Sequence, residues 1–199
     1  MSPQRRGEET RARILEAATE CFAQHGYGGT GVAEICRRAG VTKGGFYHHF
    51  PSKQAVFLEL LNHWLAGLDT QLEAARAGAE TVPEGLMQMA GMVRQVFEAG
   101  SGQLPIFLEF LTQAAHDPAV WQATIAPYRR YQALFRDMVE AGIAEGSLCP
   151  VDPETAAQVI VSLAVGLVLQ GMLDPQGADW GQVAQEGVQM LLGSLERRQ

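Results

Sequence analysis

Apolar residues in the first quarter of the chain recur at helical spacing. Ile14, Ala18, Cys21 and Phe22 stand at i, i+4, i+7 and i+8, one face of a helix of about 3.6 residues per turn. They predict a first helix from about Thr10 to His25, closed by Gly26. Val32, Ile35, Cys36 and Ala39 repeat the pattern, with Thr30 the expected N-cap and Gly40 the stop. Thr42 is the expected cap of a third helix whose apolar or aromatic positions are Phe46, Tyr47 and Phe50. Pro51-Ser52 breaks that helix and starts a fourth over roughly 52–77, striped by Phe57, Leu60, Leu61, Trp64 and Leu68.

Farther along, Asp117-Pro118, Asp152-Pro153-Glu154 and Asp179 with Gln182 carry the marks of helix starts, an N-cap with proline or a capping partner behind it. They predict helices near 118–145, 153–173 and 179–197. Weaker signals add 83–99 and 104–116. No stretch alternates polar and apolar as a half-buried strand would, so the predicted fold is all-α. Val159 to Leu169 is a nearly unbroken apolar run of 11 residues bounded by Gln158 and Gln170, against about 20 needed to span a bilayer. A helix apolar on every side in a soluble protein is covered on every side. The last helix is also apolar over a wide arc (Val183, Val188, Met190, Leu191, Leu192, Leu195), so the pair is expected to bury one face internally and another against a second copy.

Two short helices joined by a few residues containing glycine form a helix-turn-helix, and the distribution of charge singles out the same region. Overall the net charge is -7, but residues 1–60 hold 8 Lys/Arg against 6 Asp/Glu, and the remainder 7 against 16. A basic-leaning module is thus joined to an acidic body. Cys21, Cys36 and Cys149 are too few and too scattered for a disulfide framework, and neither a CxxC pair nor a Cys/His cluster offers a metal set. Met1 to Thr10 is polar, without the apolar core of a secretory signal, which predicts a cytoplasmic protein. No nucleophile and base, close carboxylate pair or phosphate-cradling glycine loop after a strand is present, so neither catalysis nor a cofactor is expected.

The segment Gly40-Val-Thr-Lys-Gly-Gly-Phe-Tyr-His-His-Phe-Pro-Ser-Lys53, with Arg13-Ile-Leu-Glu-Ala-Ala, Phe22, Gly26-Tyr27, Thr30 and Val32-Ala-Glu-Ile35 before it, resembles the DNA-binding region of the tetracycline repressor (TetR) family of bacterial transcription regulators. The match spans roughly residues 10–60. It implies a three-helix DNA-binding domain over 1–53 and a roughly six-helix ligand-binding and dimerisation domain over 54–199. The implied protein is a homodimeric repressor that binds palindromic operator DNA and is released by a small effector. Gly31 departs from the Ser or Thr that many relatives carry.

In a helix-turn-helix the second helix enters the major groove while flanking groups hold phosphates. Lys43, in its first turn, can reach a guanine edge or a phosphate. Gly44 and Gly45 let backbone approach the groove. By resemblance Tyr47 and His49 contact phosphate, His48 faces bases or sugars, and Lys53 is a phosphate contact at the start of the fourth helix. Thr30 and Thr42 are expected first as caps and secondarily as phosphate contacts. Arg5, Arg6 and Arg11 form either a basic arm beside the duplex or a solvated tail. Phe46 and Phe50 are expected in the core. Arg37-Arg38 suits a helix C-terminus as well as it suits phosphate.

For the effector, the bulky and polar residues of the C-terminal part nominate Trp64, Phe97, Phe107, Phe110, Gln113, His116, Trp121, Tyr128 and Gln170, with Arg94 beside them. Such a lining favours an apolar or amphipathic molecule. Two alternatives stand: a redox-responsive regulator sensing through Cys149, and a ligand-binding adaptor without DNA function.

Overall fold

The apolar stripe of the first segment does become a helix, and it is broken where glycine permits a positive φ. A computed structural model describes residues 3–99 and 112–195, with side chains from 4 to 94 and from 112 to 195. Helix α1 (Pro3–Gly29) is interrupted at Gly26, which has φ 68° and ψ 170°, a conformation open to glycine and strained for other residues. The helix begins two turns earlier than the apolar pattern required, through the polar stretch from Pro3. Helices α2 (Val32–Ala39) and α3 (Lys43–His49) follow. Gly40 closes α2 in the left-handed region, its N–H bonded to the Cys36 carbonyl. Thr42 caps α3 as expected, accepting from the Gly45 N–H at 3.0 Å.

Thr30 does something other than cap. Gly31 is the N-cap of α2 and supplies no side chain. Thr30 is 2% exposed, and its hydroxyl reaches the carbonyls of Cys21 at 3.0 Å and Gly26 at 2.8 Å. It ties the residue ahead of α2 to two carbonyls of α1, one of them at the kink.

Helices α4 (Lys53–Ala77), α5 (Val82–Ala99), α6 (Pro118–Glu145), α7 (Pro153–Leu173) and α8 (Trp180–Leu195) complete the described elements. No strand occurs among the described residues, so the fold is all-α. Most of the expected helix over 104–116 lies outside the described residues. The three acidic starts behave as read. Asp117 accepts from the N–H of Ala119 and Val120, Asp152 from Thr155, and Asp179 from Gln182. Gln182 does not close a reciprocal box: its amide goes forward to Glu186 at 2.8 Å.

The described residues fall into two compact units. One comprises residues to 66 and 112–124; the other, 67–99 and 125–195. Both α4 and α6 therefore contribute to both units. Pro127 stands inside α6, close after its point of division, and deprives the helix of one N–H.

The first unit is built on Ile14, Ala18, Cys21 and Phe22 of α1, Ile35, Cys36 and Ala39 of α2, Phe46 and Phe50, and Val56, Phe57 and Leu61 of α4, all buried. Phe22 meets Phe57 edge-on with ring centroids 5.5 Å apart, and Tyr27 lies 4.4 Å from Phe57. At about 1.5–3 kcal/mol per fully buried large apolar side chain, these rings dominate the packing of a small domain. The second unit has its own core, centred on Leu72, Leu86, Met89, Phe135, Met138, Val139, Leu148 and Ile160. There α5 and α8 approach so closely that a Cβ at Gly181 would stand 2.7 Å from that of Arg94.

Candidate nucleic-acid interface

Because α3 is short and buries Phe46, with Phe50 just past its end, its remaining positions are sorted by geometry alone. Lys43 and Tyr47 are four residues apart, as are Gly44 and His48, so all four share the outward face. All four are exposed, Tyr47 at 53%, and the Tyr47 ring leans edge-on against Phe46 at 5.3 Å. Gly45 and His49 are half-buried at the flanks. The exposed cap Thr42 uses its hydroxyl oxygen as acceptor, which leaves the hydroxyl proton for an outside oxygen.

Three things make a glycine necessary: a positive φ, a neighbour too close for a Cβ, or a partner that must come near. Gly44 lacks the first, since Gly26, Gly40 and Gly146 are the described residues with positive φ. A Cβ at Gly44 would meet nothing nearer than Thr42 Oγ1 at 3.9 Å. Glycine in a helix costs up to about 1 kcal/mol relative to alanine, and this structure supplies no internal reason for it. Its exposed position leaves the backbone of α3 open to close approach from outside.

Lys53 is where sequence expectation and structure part. Its ammonium donates to the carbonyls of Tyr27 at 2.6 Å and Thr30 at 2.9 Å and stands 4.1 Å from the centre of the Tyr27 ring. It clips the loop between α1 and α2 to the start of α4, so a phosphate would have to compete with two carbonyls and a ring. Thr30 likewise has its hydroxyl buried and engaged, so it is withdrawn as a phosphate contact. Arg11 leaves the expected basic arm: it pairs with Glu59 at 2.7 Å and lies over the Phe50 ring at 5.0 Å. The arm is helical rather than a tail. Arg38 pairs with Glu20 at 3.2 Å and bonds Gln24, in accord with its reading as a helix terminus.

The effector candidates are divided between the two units. Trp64 and Gln113 are half-buried in the first unit, while His116 and Trp121 of that unit and Tyr128 and Gln170 of the second are exposed. These four side chains are exposed on their own units. The side chains of Phe97, Phe107 and Phe110 lie outside the described set. Arg94 makes a surface ion pair with Asp179 at 3.2 Å. Cys149 is free and half-buried, its thiol 4.0 Å from the Ser194 carbonyl. Cys21 and Cys36 are buried, and burial pushes both thiols up, away from the reactive thiolate.

Two polar clusters had no sequence signal, because their members are 61 to 63 residues apart. In the second unit Asp69 accepts from Arg130 at 2.6 Å and from the Tyr131 hydroxyl at 2.9 Å. Burial, then the Asp69 carboxylate, pushes the Tyr131 phenol up to about 12. In the first unit the Asp117 carboxylate, besides capping α6, accepts from the Gln54 amide at 2.6 Å. Asp117 was legible as a cap, but its second partner was not.

Comparison with known proteins agrees with this geometry. Residues 14–60 match the profile described as bacterial regulatory proteins, tetR family, and residues 84–193 match that of the C-terminal region of BetI-type transcriptional repressors. The chain belongs to the TetR family of DNA-binding transcriptional regulators, with an N-terminal helix-turn-helix and a helical ligand-binding domain. It is 31% identical over 188 residues to the A-factor receptor protein of Streptomyces griseus, covering 93% of this chain and 63% of that protein's length. A structure concerning control of antibiotic production by bacterial hormones superposes with a TM-score of 0.74 at 27% identity, covering 99% of this chain and 100% of the other. A regulator from Saccharomonospora viridis in complex with choline shares the fold, with a TM-score of 0.84, 21% identity and coverage of 96% and 100%. The relatives are transcriptional regulators, not enzymes.

Proposed function

We propose that this protein is a repressor that binds palindromic operator DNA as a homodimer and releases it when a small apolar or amphipathic molecule enters its C-terminal domain. The observation that carries the DNA half is the outward face of α3, Lys43, Gly44, Tyr47 and His48, held by Phe46 and Phe50 and given a glycine for which the protein itself has no use. Thr42, Gly45 and His49 flank that face as phosphate or close-approach positions. The DNA-reading domain is proposed over 1–53 and the effector and dimer domain over 54–199, and the cytoplasm is the compartment where operator DNA is met.

The dimer reading rests on α7 and α8. Val159, Val165, Leu169 and Leu173 fall within one arc of α7, exposed, and Met190 of α8 is 78% exposed. A Cβ at Gly166 or Gly193 would meet nothing within 4 Å, so a partner helix finds small residues among large ones. By length and hydropathy α7 passes for a membrane span, with mean hydropathy 2.0 over its best window. In a family of DNA-binding regulators the same apolarity fits a second copy. Two recognition helices must then stand about 34–36 Å apart to enter successive major grooves.

Effector binding in the C-terminal domain alters that spacing through α4 and α6, the helices that belong to both units. The coupling is reciprocal, so DNA weakens the effector by the factor by which the effector weakens DNA. The choline complex and the hormone-related structure support small organic molecules as the ligand class. Selection of the purified protein against a randomised duplex pool at two salt concentrations tests the reading. Enrichment of a palindrome, with affinity falling steeply as salt rises, is expected. No enrichment, with weak binding indifferent to Lys43→Ala, would instead leave a ligand-binding adaptor, and release by peroxide but not by organic ligands would favour Cys149 as the sensor.

A further inference from the structure

Near its start α1 comes close to the end of the recognition helix. A Cβ at Gly7 would stand 3.8 Å from Cε1 of His49, the last residue of α3. Six residues on, Nη1 of Arg13 is 3.8 Å from where a Cβ of Gly40 would be, just ahead of the cap of α3. Arg6, Thr10 and Arg13 fall within an arc of roughly 60° around the helix axis at about 100° per residue. The Thr10 hydroxyl bonds the Arg6 carbonyl at 2.8 Å and accepts from Arg13 Nη2 at 3.4 Å. Both arginines are exposed.

The charges of the first unit divide into two groups. Arg11, Arg37 and Arg38 pair with Glu59, Glu34 and Glu20, and Lys53 is held by two carbonyls. Arg6 and Arg13 enter none of the described ion pairs, and Lys43 opens the outward face of α3. A guanidinium matches the paired oxygens of a phosphate, and cations beside a groove-reading helix meet the duplex backbone before its base edges.

We infer that Arg6 and Arg13 form a phosphate-contacting stripe on α1, a second DNA-binding surface beside the recognition helix that fixes its register on the duplex without reading sequence. The inference rests on the operator-binding function proposed above. It replaces the arm expected from Arg5, Arg6 and Arg11: Arg11 is engaged inside the unit, and Arg13, inside the first amphipathic helix, takes its place.

The test uses the full-length protein and the duplex it selects, with affinity measured between about 50 and 200 mM salt. Each phosphate contact contributes about 0.9 to the slope of log K against log salt. With two protomers on the duplex, Arg6→Gln and Arg13→Gln are each expected to reduce the slope by about 1.8, and the double variant by about 3.6. The selected sequence stays the same, and Arg13→Lys keeps the slope. Thermal unfolding of the variants at the wild-type midpoint shows that they are folded. A folded double variant with the wild-type slope overturns the stripe, and so does a changed consensus, which would mean base reading. Failure of the wild type to select any duplex overturns the operator reading itself, which separates that failure from this one.

Discussion

The two units leave opposite chemistries facing outward. Around α3 the exposed set is sparse, cationic or aromatic: Lys43, Gly44, Tyr47 and His48. On α7 it includes an apolar arc, with Leu173 at 73% exposure, and on α8 Met190 stands 78% exposed. In each unit the core is complete without these residues, so what each surface lacks describes its partner. A cationic face with a missing side chain fits a polyanion that must come close. An apolar arc with small residues fits another apolar surface, and the proposed partner is a second copy of the chain.

The difference between the units can be attacked from either side. Leu173→Glu with Met190→Glu is expected to leave a folded monomer, seen by sedimentation. Operator affinity should then fall by on the order of 10²–10⁴, because the second half-site is no longer bound intramolecularly. A dimer that survives with unchanged affinity would move the interface elsewhere. Lys43→Ala should cost about 1–3 kcal/mol of operator affinity if Lys43 grips a guanine, with the denaturation midpoint unmoved. A uniform loss across all sequences would reassign it to phosphate.

Thr30→Val sharpens the distinction between holding the fold and touching DNA. Leaving the Cys21 and Gly26 carbonyls short of a donor should cost about 1–3 kcal/mol of stability in chemical denaturation, while the folded fraction binds operator as before. Gly44→Ala should do the reverse: a slightly more stable helix, by up to about 1 kcal/mol, and weaker operator binding. Unchanged binding would remove the argument for close approach.

The smallest effect lies in the second unit. Tyr131 is raised by burial first and Asp69 second, so its protonated form is favoured by folding. The stability it confers is fully present below the ordinary tyrosine value near 10 and fades as pH rises toward about 12. Asp69→Asn should bring its ultraviolet titration midpoint down toward 10 without returning it fully, since burial remains.

Helix starts and stops were legible wherever a single residue decides them: Asp117, Asp152, Asp179 and Thr42 as caps, Gly40 as a left-handed end and Gly26 as a break at positive φ. So was the core of the first unit, because Ile14, Ala18, Cys21 and Phe22 share a phase whatever else the chain does. The outward face of α3 was legible for the same reason, once Phe46 and Phe50 are placed inside. Which of the effector candidates are exposed was not. His116, Trp121, Tyr128 and Gln170 have suitable chemistry, but residue type says nothing of which way a helix is turned in its bundle.

By itself, then, the sequence determined helix positions, the buried stripe of each N-terminal helix, and the family, because these depend on local backbone energetics and on residues a few positions apart. Only the tertiary structure decided which polar groups are already engaged. Lys53 and Tyr27 are 26 residues apart, Arg11 and Glu59 are 48 apart, and Asp69 and Tyr131 are 62 apart. A charge's availability to DNA or ligand depends on whether folding has placed a partner beside it, and no periodicity along the chain records that. Arg11 and Arg13 look alike in the sequence. A difference of about 200° around one helix sets Arg11 against Glu59 and Phe50 and leaves Arg13 on the stripe beside α3.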